Sequence, residues 1–237
     1  MNKIFPQKIY RFVKFTGFEA EYEYKTFSDG KILIGGTDPF GFSDEDSLIK
    51  IKENIVLKER VYIVSTKMRN TIFPFTDKNS ELKIWDKFSN YGAGVAIGIS
   101  TDKETFNKIK ELFNLDLEKV IYTDDIPILQ KQYTPEQIAR EETSEIQEWI
   151  RKVIITKQSN FEYESEYRFF GKLKNYTGIG TARVISLPSE IITEVILGYA
   201  MEDSIKEKTI SFCKKYLPKA RLKYAIRGGE EIRIVPL

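Results

Sequence analysis

The chain has 237 residues, 41% of them hydrophobic and 13% aromatic, which is enough for one large domain with an ordinary buried core. Lys plus Arg number 37 and Asp plus Glu 35, so the net charge of +2 gives no general attraction toward nucleic acid or an anionic membrane. There is no histidine, and Cys213 is the one cysteine, which excludes Ser-His-Asp and Cys-His catalysis, histidine general bases, His- or Cys-based zinc sites and an intramolecular disulfide.

Any catalysis must then use Glu, Asp, Lys, Arg, Tyr, Ser or Thr. A carboxylate site for Mg²⁺ or Ca²⁺ stays open, but no metal is expected. Met1 to Pro6 lacks an apolar signal core, and no apolar run approaches the length of a membrane span. The expectation is a soluble, cytoplasmic protein without a membrane partner.

In chain order, Ile9 to Phe15 reads as a first strand and Glu21 to Thr26 as a second extended stretch. Ser28-Asp29-Gly30-Lys31 is a tight turn into Ile32-Leu33-Ile34. Gly35 to Asp44 is a loop by composition, either a connector or a cover for a ligand. Glu45 to Asn54 suggests a short helix and Val61 to Thr66 a strand, followed by a loop from Arg69 to Ser80. Glu81 to Phe88 reads as a helix. Asn90 to Gly94 breaks the chain before Val95 to Ile99, an apolar run expected to be buried on both faces.

Thr101-Asp102-Lys103-Glu104 has the form of a capping box, followed by an apolar stripe of Phe106, Ile109, Leu112 and Phe113. Lys119 to Tyr122 reads as a strand. Thr134-Pro135-Glu136-Gln137 starts another helix, expected to run to about Ile155 with Ile146, Trp149, Ile150, Val153 and Ile154 facing the core. Further strands are expected at Ala182 to Leu187, Glu194 to Leu197, Lys219 to Ala225 and Glu231 to Val235, with a helix at Ser204 to Tyr216. Strands and helices mix without regular alternation. The expected fold is therefore α+β, a single domain over residues 1–237, with mixed, mostly antiparallel central sheets and about four or five flanking helices.

The stretch Asn160 to Phe170 is rich in aromatics, alternates with period two and reads as one strand. One face would carry Tyr163, Ser165, Tyr167 and Phe169, and the other Glu162, Glu164, Glu166, Arg168 and Phe170. Glu is disfavoured in strands, so three carboxylates in file mark a candidate site. Two of them, two residues apart, would stand about 6.5–7 Å apart on one face. A site with an oxocarbenium-like transition state could use one Glu against positive charge and another on a sugar hydroxyl. The structural alternative is a solvated edge strand in which Arg168 pairs with Glu166, worth at most about 1 kcal/mol.

Three other candidates have structural alternatives as well. Arg11 could clamp a phosphate, or form a cross-strand ion pair. Ser65 and Thr66 end an apolar strand and could bond a ligand, or the strand end itself. Trp85, Phe88 and Tyr91 could stack on a ring, but an aromatic stripe at that spacing is more often core.

Several blocks together resemble a bacterial family of uncharacterised proteins, domain of unknown function 2971. They are Ile9-Tyr10-Arg11-Phe12; Ser65; Ile84-Trp85-Asp86-Lys87-Phe88; Gly94 with Val95 to Gly98; Lys157; Tyr163 to Arg168; and Val195-Ile196-Leu197-Gly198. Phe88 stands where the family usually has Tyr, Tyr91 where His is common, and Thr37-Asp38-Pro39-Phe40 where Asn-Asp-Pro-Phe is usual. A second resemblance, to the Arg-Ser-Glu class of ADP-ribosyltransferases, rests on Arg11, Ser65-Thr66 and Glu164-Ser165-Glu166 in that order. It implies an ADP-ribosyltransferase-like fold with NAD as the substrate. Arg11 would lie near the dinucleotide phosphates, Ser65 and Thr66 at the nicotinamide ribose pocket, Glu166 on that ribose and Glu164 positioning an acceptor, either protein or nucleic acid. Trp85 and Arg168 complete the cofactor-binding set.

Two expectations follow. The first is an enzyme transferring ADP-ribose to an unknown acceptor, in phage defence or a toxin-type role. The second is a non-enzymatic nucleotide- or protein-binding module of a defence or regulatory system, in which Arg168 neutralises Glu166.

Overall fold

The computed structural model describes residues 5–14, 26–36, 70–125, 127, 129, 131, 133–179 and 182–237. The expected elements at Glu21 to Thr26 (apart from Thr26), Glu45 to Asn54 and Val61 to Thr66, and the loop beyond Gly36, lie outside the described residues. The architecture is α+β. The strands are β1 (Lys8–Val13), β2 (Phe27–Ser28), β3 (Lys31–Gly36), β4 (Asn70–Thr76), β5 (Val95–Ser100), β6 (Asp116–Lys119), β7 (Ile121–Tyr122), β8 (Thr156–Lys157), β9 (Glu166–Lys172), β10 (Thr177–Ile179), β11 (Ala182–Leu187), β12 (Ile192–Leu197), β13 (Arg221–Gly228) and β14 (Glu231–Pro236). The helices are α1 (Leu82–Phe88), α2 (Lys103–Phe113), α3 (Pro135–Arg140), α4 (Ser144–Ile155) and α5 (Asp203–Tyr216). Two compact units share the chain. Unit 1 comprises residues 1–35, 75–108 and 176–237, and unit 2 comprises 36–74 and 109–175.

In unit 1, strands run side by side in the order β14-β13-β12-β5-β1. All of these pairings are antiparallel except β12 with β13. That parallel pair needs a crossover, and α5 supplies it. β5 lies inside the sheet and its first five residues are all buried, as a continuous apolar run predicts. A second sheet has the order β10-β11-β3-β2, and its Asp29-Gly30 turn is left-handed at both residues (φ 49° and 76°), the geometry that joins twisted hairpin strands. Aromatic pairs fill the core: Phe12 meets Trp85 edge-to-face at 4.8 Å, and Phe27 meets Phe212 at 5.1 Å.

In unit 2, β9 pairs antiparallel with β6, and β7 pairs parallel with β8. The core gathers Ile72, Ile138, Ile146, Trp149, Ile150, Ile154 and Ile155, with Val153 and Phe170 packed against it. This is the face of α4 expected from its periodicity.

Four local expectations change. Residues 70–76 form β4 rather than a loop. Pro74 argues against a strand, but Thr71, Ile72, Phe73 and Phe75 are all buried, and their burial outweighs the lost N–H donor. The helix expected from Thr134 to Ile155 is two helices. The first has the full capping box, Thr134 with Gln137, but ends at Glu141 in a left-handed conformation, and Thr143 caps the second. The cap of α2 is Asp102, not Thr101: Asp102 Oδ1 accepts the Thr105 N–H at 2.8 Å, while the Thr101 hydroxyl donates to the Pro6 carbonyl.

The fourth change concerns Asn160 to Phe170. The strand begins only at Glu166. Ser159–Glu164 is a 3₁₀ turn, and Ser165 joins the two in a left-handed conformation, φ 43°. Period-two faces hold from Glu166 onward, but Glu162 and Glu164 are not in file with Glu166.

Candidate functional site

Although the strand starts late, Glu164, Glu166 and Arg168 belong to one cluster in unit 2, because Lys157 pairs with both glutamates and Arg168 pairs with Glu166. The adjoining β7–β8 pair sets Tyr122 opposite Lys157, and both side chains reach the same cluster. Lys157 Nζ donates to Glu164 Oε2 at 2.5 Å and to Glu166 Oε2 at 3.3 Å, so a single ammonium bridges the two carboxylates. This bridge removes the repulsion that two neighbouring glutamates would otherwise carry. The same ammonium lies 5.0 Å from the centre of the Phe161 ring.

Arg168 completes the network on the other side of Glu166. Its Nε donates to Oε1 at 2.6 Å and its Nη2 to Oε2 at 3.1 Å, a two-pronged pair. Its Nη1 donates to the carbonyl of Ile154, in the last turn of α4. Carbonyls there have no partner within the helix, so Arg168 both neutralises Glu166 and closes a helix end. Glu164, Glu166 and Arg168 are all buried. Among the described residues, these ion pairs join two carboxylates to two cations.

Burial alone would push the Glu166 carboxyl up. Arg168 first, and Lys157 after it, more than reverse this and hold it below the usual carboxylate range. Tyr122 shifts the opposite way: burial raises its phenol above the ordinary value, and the Glu166 and Glu164 charges add to the rise. Its hydroxyl accepts the Glu166 backbone N–H at 2.7 Å.

The remaining sequence candidates are placed as follows. Arg11 is on β1 in unit 1, and its Nη2 donates to the Gly35 carbonyl at 3.2 Å. Trp85, also in unit 1, is wholly buried, and its indole N–H donates to the Asn79 carbonyl at 2.8 Å. Ser65 and Thr66 lie outside the described residues. Among the described residues, no group of three or more Cys, Asp or Glu side chains is arranged to hold a metal ion, and no helix is long and apolar enough to cross a membrane.

Residues 84–169 match the family described as Protein of unknown function (DUF2971). The match covers just over a third of the chain and runs from α1 to β9, so it contains Trp85, Lys157, Glu164, Glu166 and Arg168. It agrees with the resemblance drawn from the Trp85, Lys157 and Tyr163-to-Arg168 blocks. The blocks at Ile9 to Phe12 and Val195 to Gly198 fall outside the matched span. No curated protein and no solved structure matches the chain.

Reading from sequence passed over two members of this cluster, Tyr122 and the bridging role of Lys157. It also missed Glu194 of β12, a side chain with no exposed surface. The signal for Glu194 was present: it is the one charged residue in the run Ile191-Ile192-Thr193-Glu194-Val195-Ile196-Leu197. A carboxylate inside a buried strand must have partners.

Proposed function

We propose that the chain binds a small, nucleotide-like anion at the unit 2 cluster and does not use Glu166 to turn it over. The observation that carries this reading is the engagement of both Glu166 carboxylate oxygens by Arg168 and Lys157. A glutamate that holds a ribose hydroxyl or offsets an oxocarbenium charge must offer an oxygen to the ligand. Here that would mean opening a buried ion pair, a disruption of about 3–5 kcal/mol. The Arg168–Glu166 pair supports the reading as a binding module.

Two donors of the cluster support binding of an anion. The Lys157 side chain is 15% exposed, and its ammonium has three N–H groups against two carboxylates. The Tyr122 hydroxyl accepts from Glu166 and still has its own proton to donate. Together they suit the oxygens of a phosphate or carboxylate.

The test pairs turnover with binding. Purified protein is assayed for nicotinamide release from NAD with protein and nucleic-acid acceptors, and titrated calorimetrically with NAD, ADP-ribose and ADP. The expected result is binding of at least one of these, weakened tenfold or more in Lys157→Met and Tyr122→Phe, with no nicotinamide release. Release by the wild type that disappears in Glu166→Gln would overturn this reading and restore the transferase. Absence of binding to all three ligands would also overturn it.

A further inference from the structure

Unit 1 holds a second charge cluster, built from different residues and independent of the proposal above. Glu194 is at its centre. Lys8 of β1 and Lys223 of β13 each place Nζ 2.9 Å from Glu194 Oε2, and Arg221 of β13 places Nη2 3.7 Å from the same oxygen. Tyr10 donates its hydroxyl to Glu194 Oε1 at 2.6 Å. Residues two apart on a strand share a face, so β1 delivers Lys8 with Tyr10, and β13 delivers Arg221 with Lys223.

The strand between β1 and β12 makes this convergence possible. Gly98 of β5 is in register with both Tyr10 and Glu194. A Cβ at that position would stand 2.8 Å from Glu194 Cγ and 2.9 Å from the Tyr10 ring. The missing side chain opens a path over β5 by which the phenol reaches the carboxylate.

The cluster holds more positive charge than its carboxylate can balance. Among the described residues, Glu194 is the one carboxylate within ion-pair reach of Lys8, Arg221 and Lys223. Three cations face one anion, leaving a surplus of two. Lys8 and Lys223 share one oxygen, so their nitrogens can be no further apart than twice 2.9 Å. A carboxylate that needed only to be neutralised would be served by one such partner, and a second and third add like-charge repulsion. The Glu194 carboxyl stays ionised: burial pushes it up, but hydrogen bonds from Tyr10, Lys223 and Lys8 bring it down to about 2. It therefore works as a fixed anchor holding the ammonium heads in place. Lys8 and Lys223 are partly exposed and Arg221 is 65% exposed, so unused N–H donors face outward.

We propose that Lys8, Arg221 and Lys223, braced on Glu194, form a binding site for a phosphate or pyrophosphate group of a small molecule. A dianion matches the surplus of two charges. Two ammonium groups and a planar guanidinium offer donors enough for its oxygens, and the guanidinium can engage two of them at once.

Inorganic pyrophosphate is the probe, titrated calorimetrically into the full chain at low and at 150 mM salt. The expected result is saturable binding that weakens with salt. Arg221→Ala should lower the affinity at least tenfold. Because Arg221 is largely exposed, this variant should keep the wild-type circular dichroism spectrum. Lys223→Met should give a similar loss. No saturable heat from the wild type, or equal affinity in Arg221→Ala and Lys223→Met, overturns the proposal. So does a loss confined to Lys157→Met, which would assign the anion to the unit 2 cluster instead.

Discussion

Arg168→Met tests whether the charged tetrad of unit 2, Lys157, Glu164, Glu166 and Arg168, holds the fold as its geometry implies. The substitution keeps a similar volume but removes three N–H donors, two to Glu166 and one to the Ile154 carbonyl. Glu166 is left 5% exposed, with Lys157 at 3.3 Å as its remaining cation. Breaking one side of a buried pair costs about 3–5 kcal/mol, and the helix-end carbonyl adds about 1 kcal/mol or less. In a urea titration with a slope of about 2–3 kcal/mol per M, a loss of about 4 kcal/mol lowers the midpoint by roughly 1.5 M. The transition is followed by circular dichroism and tryptophan fluorescence. Glu166→Met combined with Arg168→Met should recover much of the loss, because neither charge is then stranded.

The same variant has a definite pH signature. In the wild type the folded-state carboxyl of Glu166 is depressed, so its stabilisation is present above the unfolded value, about 4.3, and is lost as pH falls through the folded value. Without Arg168, burial dominates and the carboxyl moves up. The variant then carries its penalty at neutral pH and sheds it on acidification, as Glu166 takes up a proton. The gap between wild type and variant should therefore narrow from pH 7 toward pH 4.5. A difference below about 1 kcal/mol at pH 7, the level of a surface pair, would refute the reasoning, as would a gap that widens with acid.

Two further outcomes follow from unit 1. Gly98→Ala places a methyl against Glu194 and Tyr10 and should cost about 2 kcal/mol, seen as a fall of roughly 4–8 °C in Tm; a shift under 1 °C would mean that the Tyr10–Glu194 approach tolerates a side chain. Burial pushes the Cys213 thiol up to about 12, so in the folded protein at pH 8 it should resist a disulfide reagent that modifies it at once in urea, and prompt labelling without urea would contradict its burial.

Much of the fold was legible because its signals are local. The apolar run at Val95 to Ile99, the stripe of α4 and the Thr134 capping box each depend on residues within a turn or two of one another. What was misread depended on choices that local pattern leaves undecided. Alternation from Asn160 to Phe170 fits a strand throughout, and only the left-handed φ at Ser165 separates the 3₁₀ turn from β9. Pro74 masked β4, whose apolar residues are satisfied by burial in the fold rather than by near neighbours in sequence. For the candidate site, the grouping of Glu164, Glu166 and Arg168 could be read from the chain, since they lie within five residues. The bridging by Lys157 needed a pairing of β7 with β8 that sequence does not display. The surroundings of Glu194 were beyond reach for the same reason on a longer scale.

That difference in scale bears on how the polypeptide is made. The tetrad of unit 2 is drawn from residues 157 to 168, so one short length of nascent chain brings all four charges out of the ribosome almost together. The cluster around Glu194 spans the chain from Lys8 to Lys223, with separations of 184 to Tyr10 and 186 to Lys8. At an elongation rate of about 5–20 residues per second, β1 waits roughly 10–40 seconds for its acceptor. Through that interval Lys8 and Tyr10 lack the carboxylate that fixes them, and the last cations arrive later still, with β13. A ribosome that stalls short of residue 194 would release a chain in which Lys8 and Tyr10 never meet their carboxylate, so synthesis through Lys223 is itself a condition for forming the cationic site.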